Sequence, residues 1–307
     1  MRIVSLLPSA TEILFAIGAG DEVSGVTFEC DYPDEARLRT IVSSTGLPDG
    51  LTPSEIDAEV KARIADGEDL YTLDEGALRD LDPDLVVTQD LCAVCAVDGT
   101  EVGAALDHLG CRAEVLTLDP MTLAQVLDSI GAVGRAAGRE QAAGDLVAGL
   151  RRRLDAVATA VAGRDRPGVV VLEWTDPPFS SGHWVPDMVE AAGGRSRLGR
   201  SGERSSQVHW DEVTAAQADL VVVAPCGFRL DGAAALAEEL VAQRRLGGDV
   251  PIWAVDADAA FVRPGPRLVD GVEALASVIH PGAVPHRSDL AALVRPGRAG
   301  AGPRARC

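Results

Sequence analysis

Apolar residues along this chain alternate between two rhythms, and that alternation predicts the architecture. Short apolar runs bounded by turn residues mark strands at 2–7, 23–28, 84–89 and 113–117. Between them, apolar positions at helical spacing mark helices at 9–18, 53–66, 74–81 and 100–109. Strands alternating with helices imply parallel pairing through right-handed crossovers. Ser9 or Thr11 can cap the first helix, and Gly18 and Gly20 end it.

From Thr122 to Ala162 the rhythm becomes purely helical. Leu123, Val126, Leu127, Ile130, Val133, Leu146, Leu150, Leu154, Val157 and Val161 keep helical spacing, with an interruption near Gly134–Gly138. This predicts a long helix or helix pair, stiffer than a Gly/Ser/Pro linker. After Arg166-Pro167 the strand–helix pattern restarts. Strands are predicted at 168–173, 219–224 and 251–255, and helices at 185–192, 210–216, 231–244 and 265–279. The halves echo each other, since residues 78–87 and 213–222 both read as helix, tight turn and buried strand. The expected organisation is an α/β lobe over 1–120, a bridging helical region over 121–164, a second α/β lobe over 165–281 and a Gly/Pro/Ala/Arg-rich flexible tail over 282–307. The fold class is α/β: two Rossmann-like lobes bridged by a long backbone helix.

Composition narrows the function. With 28 basic against 47 acidic residues, a net charge of −19 disfavours a nucleic-acid or anionic-membrane partner. No apolar run reaches the roughly 20 residues that span a bilayer. The chain opens on strand residues with no basic, apolar leader, so a cytoplasmic location is expected. There thiols stay reduced, and C-x-x-C points to metal or redox chemistry.

Four cysteines fall where predicted strands end. Cys30 follows 23–29, the pair Cys92 and Cys95 follows 85–90, and Cys226 follows 219–225. Ligands in open α/β sheets sit beyond the carboxyl ends of strands. Four thiolates there suit tetrahedral zinc or a [4Fe-4S] cluster, or else line a pocket for another ligand; each singleton alone also reads as packing. Cys111 reads as packing and Cys307 lies in the tail. Aromatics make up only 4% of the chain, yet Trp174, Phe179, Trp184 and Trp210 gather at the start of the second lobe. Flat rings flanked by polar groups suit a large planar ligand; the alternative is a core Trp pair under a loop, and Trp210 at a helix start fits that better. His183, in the loop with Phe179 and Trp184, is an axial-ligand candidate or a plain hydrogen-bonding residue. Glu29, Asp90 and Glu173 lie beside strand ends. Arg263 either reaches a ligand carboxylate or amide, or forms a surface ion pair. No phosphate-binding loop or nucleophile–base pair is found by spacing, which leans away from an enzyme.

Ser5-Leu6-Leu7-Pro8-Ser9-Ala10-Thr11-Glu12, the turn-strand Asp82-Pro83-Asp84-Leu85-Val86-Val87 and the closing Arg263-Pro264-Gly265-Pro266-Arg267-Leu268-Val269-Asp270-Gly271 resemble signatures of a known family. It is the cobalamin- and siderophore-binding periplasmic proteins that serve ABC importers, and the vitamin B12-binding branch is the most similar. The resemblance spans residues 1 to about 281. It implies two α/β lobes joined by a helix, with a corrinoid or other tetrapyrrole-like, or metal-containing, small ligand in the interlobe cleft and an ABC permease as partner. It places Pro8, of the opening signature, and the Trp174–Trp184 loop on that cleft. The four cysteines are not part of the vitamin B12-binding pattern. They keep open an alternative, a Cys-coordinated iron–sulfur or zinc protein with redox or enzymatic activity.

Overall fold

The computed structural model describes residues 1–48, 50–66, 70–89, 112–246 and 250–297. It divides into two compact α/β units: Met1–Pro120, Ala124–Leu150 and Pro264–Pro266 form one, and Met121–Leu123, Arg151–Arg263 and Arg267–Cys307 form the other.

The first unit runs β1 (Ile3–Ser5), α1 (Pro8–Ala16), β2 (Val23–Val26), β3 (Thr40–Ile41), β4 (Ser43–Thr45), α2 (Pro53–Asp66), β5 (Tyr71–Leu73), α3 (Glu75–Leu81), β6 (Leu85–Gln89) and β7 (Glu114–Leu118). Among the described residues its main sheet has the order β3-β2-β1-β6-β7, with every pair parallel. Pro8 opens α1, where a missing N–H costs nothing and its fixed φ already suits the helix. Asp74 caps α3 by accepting from the Ala77 amide at 2.9 Å. Val4, Leu6, Val42, Leu73, Leu78 and Val86 pack one face of this sheet. β1 lies between β2 and β6, so the strand order reverses beside β1, and a crevice opens at such a switch point.

Two helices follow, α4 (Leu123–Ala136) and α5 (Glu140–Val161). Of the two readings, one long helix or a helix pair, the pair is found, broken where Gly138 takes φ +62, which a side chain would resist. The division between the units falls inside α5, after Leu150. Beyond that point Arg153 donates to both oxygens of Glu273, at 2.9 and 2.8 Å, and pairs with Asp270. Arg287 meets the same two carboxylates and Asp289, so both guanidinium groups are held more firmly protonated than usual.

The second unit continues with β8 (Gly168–Thr175), β9 (Pro178–Ser180), α6 (Val185–Ala191), β10 (Arg195–Ser196), β11 (Ser206–Gln207), α7 (Trp210–Ala215), β12 (Leu220–Val223), α8 (Leu230–Ala242), β13 (Ile252–Val255), α9 (Ala257–Ala260), α10 (Leu268–Ile279) and β14 (Ala291–Arg295). Its sheet has the order β11-β9-β8-β12-β13-β14, with β10 also on β8. β8, β10, β12 and β13 are parallel, whereas β9, β11 and β14 are antiparallel additions. Val170, Leu172, Val221, Val223, Ile252 and Ala254 pack against Ala233, Ala237 and Leu240 of α8. Here the order reverses between β8 and β12.

One expectation needs correction. The segment 282–307 reads as a flexible tail, but β14 pairs with β13 and closes that edge of the sheet; Gly and Pro lie around a five-residue run, Ala291–Arg295, that is short enough to escape a composition-based reading. In the 121–164 region the second helix, α5, runs from one unit into the other. The expected helix at 100–109 lies outside the described residues. No helix among the described residues is long and apolar enough to cross a membrane.

Candidate functional site

The carboxyl end of β8 carries the densest chemistry. Leu172 opposes Ser180 on β9, yet Trp174, not Glu173, opposes Phe179. Glu173 is therefore the extra residue of a β-bulge, a device that re-aims a side chain at the edge of a ladder. Its Oε1 accepts from the Gly182 amide at 3.0 Å, and the Ser205 side chain donates to the same carboxyl. The residue is half-buried, and loss of water around the carboxyl pushes its pKa up to about 7; the hydrogen bonds from Gly182 and Ser205 only partly offset this. Its carbonyl accepts from the Cys226 amide at 3.2 Å, tying β8 to the loop that leaves β12.

Trp174 and Phe228 meet edge to face with centroids 5.8 Å apart, and Phe179 opposes Trp174 across the strand pair. Both rings of that edge-to-face pair are half-buried. The Trp174 indole donates to the Asp176 carbonyl at 3.2 Å, which fixes the plane of its ring. Half-buried rings next to a carboxyl whose pKa is pushed up to about 7 can take a broad apolar face with hydrogen-bonding groups at its margin.

The carboxyl ends of β1 and β2 in the first unit are built of hydroxyls. Thr11 donates to Ser5 Oγ at 2.9 Å and lies 3.0 Å from Cys30 Sγ; Ser43 donates to Thr27 Oγ1 at 2.7 Å. Ser5, Thr11, Thr27, Cys30 and Ser43 are all buried. On the solvent side of this layer the Phe28 and Tyr71 rings are 5.9 Å apart, and the Tyr71 hydroxyl donates to Glu29 at 3.4 Å.

The structure thus brings Glu173, Trp174, Phe179 and Cys226 together in one unit, and Glu29 and Cys30 together in the other, near the start of α1 where Pro8 stands. Glu173 and Trp174 belong to β8 itself, which runs to Thr175, because pairing with β9 extends the strand past the predicted end. Trp184 is a core residue whose indole donates to the Phe261 carbonyl at 2.7 Å. His183 holds φ +50 with its ring 5.4 Å from that of Trp184. Arg263 pairs with Asp258 at 2.8 Å, and both side chains are largely buried. Cys30 is buried on Thr11, whereas Cys226 is exposed. Asp90, Cys92 and Cys95 lie outside the described residues. Among the described residues no three His, Cys, Asp or Glu side chains gather to hold a metal. Phe28, Tyr71, Phe228 and Ser205 escaped the sequence reading. Phe28-Glu29-Cys30 and Cys226-Gly227-Phe228 both set a Phe two positions from a strand-end cysteine, a signal that would have found the two phenylalanines.

Comparison with known proteins agrees with this architecture. An uncharacterized ABC transporter substrate-binding lipoprotein of Bacillus subtilis is 28% identical over 295 residues, covering 91% of this chain and 80% of its own. The cobalamin-binding protein of Halobacterium salinarum is 26% identical, covering 91% of this chain and 69% of its own. The vitamin B12-binding protein of Vibrio cholerae is 26% identical over 278 residues, covering 89% of this chain and 86% of its own. Among solved structures, the periplasmic vitamin B12-binding protein of Vibrio cholerae superposes with a TM-score of 0.62 at 22% identity, covering 91% of this chain and 96% of that one. A periplasmic heme-binding protein of Pseudomonas aeruginosa gives a TM-score of 0.66 at 21% identity, covering 95% and 97%. With two α/β units and a family model that matches residues 3–248, the chain belongs to the periplasmic binding protein family.

Proposed function

We propose that this protein binds a corrinoid at its strand ends and passes it to an ABC permease. The observation that carries this reading is the aromatic face at the end of β8, where Trp174 and Phe228 stand edge to face and Phe179 opposes Trp174. Such a face suits a large flat macrocycle better than a small polar solute or a hydrated ion. A carboxyl that stays protonated to about pH 7 can donate to, as well as accept from, the amide groups at a corrin's margin. Support also comes from the relatives named for cobalamin and vitamin B12, whose similarity covers most of this chain. The permease follows from the transporter role named for the Bacillus subtilis relative.

The test is calorimetric titration of the purified protein with cyanocobalamin, with haemin in parallel, while tryptophan emission is followed. Saturable one-to-one binding of the corrinoid with quenching supports the reading. Binding of haemin alone would move the assignment to another tetrapyrrole, and binding of neither would remove it.

A further inference from the structure

We infer that Glu173 is a protonation-controlled latch, holding two interlocked chain segments, 181–184 and 202–206, against the end of β8. This goes beyond ligand identity and concerns the protein alone.

The two segments are locked to each other by backbone. The His183 amide donates to the Glu203 carbonyl at 2.6 Å, and the Gly202 amide donates back to the His183 carbonyl at 3.1 Å. Contact is so close that a Cβ on Gly182 would fall 2.1 Å from the Ser205 nitrogen. The segments continue into β9 and β11, which pair through Ser180 with Ser206 and Phe179 with Gln207. Glu173 reaches both, one through the Gly182 amide and the other through the Ser205 side chain. Because it occupies the bulge, it has no opposing residue on β9, and its carboxyl is free of the ladder to make these two bonds.

The charged and titratable residues on the segments around Glu173 are His183 on one, Glu203 and Arg204 on the other, Cys226 on the loop after β12, whose amide meets the Glu173 carbonyl, and Asp176 just past the end of β8. Glu203 is itself 3.6 Å from Arg200. In the closed arrangement water is withdrawn from the carboxyl, which protonates at about 7. Once hydrated by opening, it would protonate near its ordinary value of 4.5. The closed form therefore binds the proton more tightly, so low pH favours closure and rising pH favours opening.

The experiment is amide hydrogen exchange of ligand-free protein, corrected for the intrinsic pH dependence of exchange, across about pH 5.5 to about pH 8.5. Opening of 181–184 and 202–206 should rise by at least about tenfold across that range, as the linkage requires. In Glu173→Gln it should change less than about twofold, because the amide keeps an acceptor and does not ionise. Ser205→Ala removes a donor that favours the ionised form, so the transition midpoint should move to higher pH, a readout that remains if Glu173→Gln folds poorly. His183→Asn, which tolerates the same positive φ, should keep the response. A flat profile in the wild type, an unchanged rise in Glu173→Gln, a midpoint unmoved or lowered in Ser205→Ala, or a response lost in His183→Asn would each overturn the latch.

Discussion

The two units end their central strands with opposite chemistry. Behind β1 and β2 lies a buried layer of small hydroxyls, Ser5, Thr11, Thr27 and Ser43, with Cys30 folded into it. Beyond β8 and β12 lie rings, a bulged glutamate and an exposed thiol. Both places lie at the carboxyl ends of central parallel strands, so the position in the sheet is shared and the side chains differ. The hydroxyl layer satisfies its own hydrogen bonds internally, which makes it a rigid support. The aromatic end leaves its rings half-exposed, and it is there that the proposed ligand would lie.

That contrast can be broken experimentally, and the largest effect is expected at the rings. Replacing Trp174 and Phe228 together with Ala should weaken corrinoid binding by about 3 kcal/mol, or over a hundredfold, as for other aromatic hot spots. Calorimetry would read it; an unchanged affinity would place the ligand elsewhere. Next is the pH dependence of folding. The native pKa of Glu173 lies at about 7, above its ordinary 4.5, so the native state retains a proton that the unfolded chain has lost between those values. The stability it confers is fully present below about pH 4.5 and lost as pH rises through about 7. A fully dry carboxyl would account for about 3 kcal/mol, and partial exposure brings this to about 2. Urea unfolding of wild type against Glu173→Gln should show the stability difference shift by that amount over this window.

In the hydroxyl layer, Thr11→Val should cost about 1–2 kcal/mol of stability by taking the partner from buried Ser5 and Cys30. Corrinoid affinity should stay within about twofold if the layer is only a support, since the loss falls on folding and not on the ligand surface. The smallest effect separates the thiols. Under native conditions Cys226 should be alkylated readily and Cys30 only after unfolding, as peptide mapping would show. Equal labelling of both would undo the contrast drawn between the two ends.

Element type was legible in the sequence wherever burial was continuous. Leu85–Gln89 and Leu220–Val223 read as strands because parallel strands covered on both faces are unbroken apolar runs. The turn before the first was readable from Asp82-Pro83; before the second, Gln217 takes φ +48, which the sequence does not announce. What escaped were pairings that composition does not mark. β9, β10, β11 and β14 are two to five residues long and acquire strand character only from a partner. The site followed the same logic. Trp174 and Phe179 stood out as rare residues close in sequence, but the partner of Glu173 is Ser205, 32 positions on, in a segment of ordinary polar residues. A long-range bond between common residue types leaves no local signature. Arg263 could be read as either rim cation or ion pair, and its 2.8 Å contact with Asp258 is made only in the folded chain, without excluding a ligand.

The family match ends at residue 248, before the last two strands of the sheet. Those strands still complete it: Ala291–Arg295 lies antiparallel along Ile252–Val255, and the Arg295 guanidinium reaches back to the Val250 carbonyl at 2.8 Å. Shortening the protein before Ala291 would strip β13 of a neighbour and turn its row of amides and carbonyls into a template for another molecule's backbone. Such a truncate should self-associate while its ligand surface remains chemically intact, so loss of soluble protein on trimming the C-terminus would report an unguarded rim and not a damaged binding site.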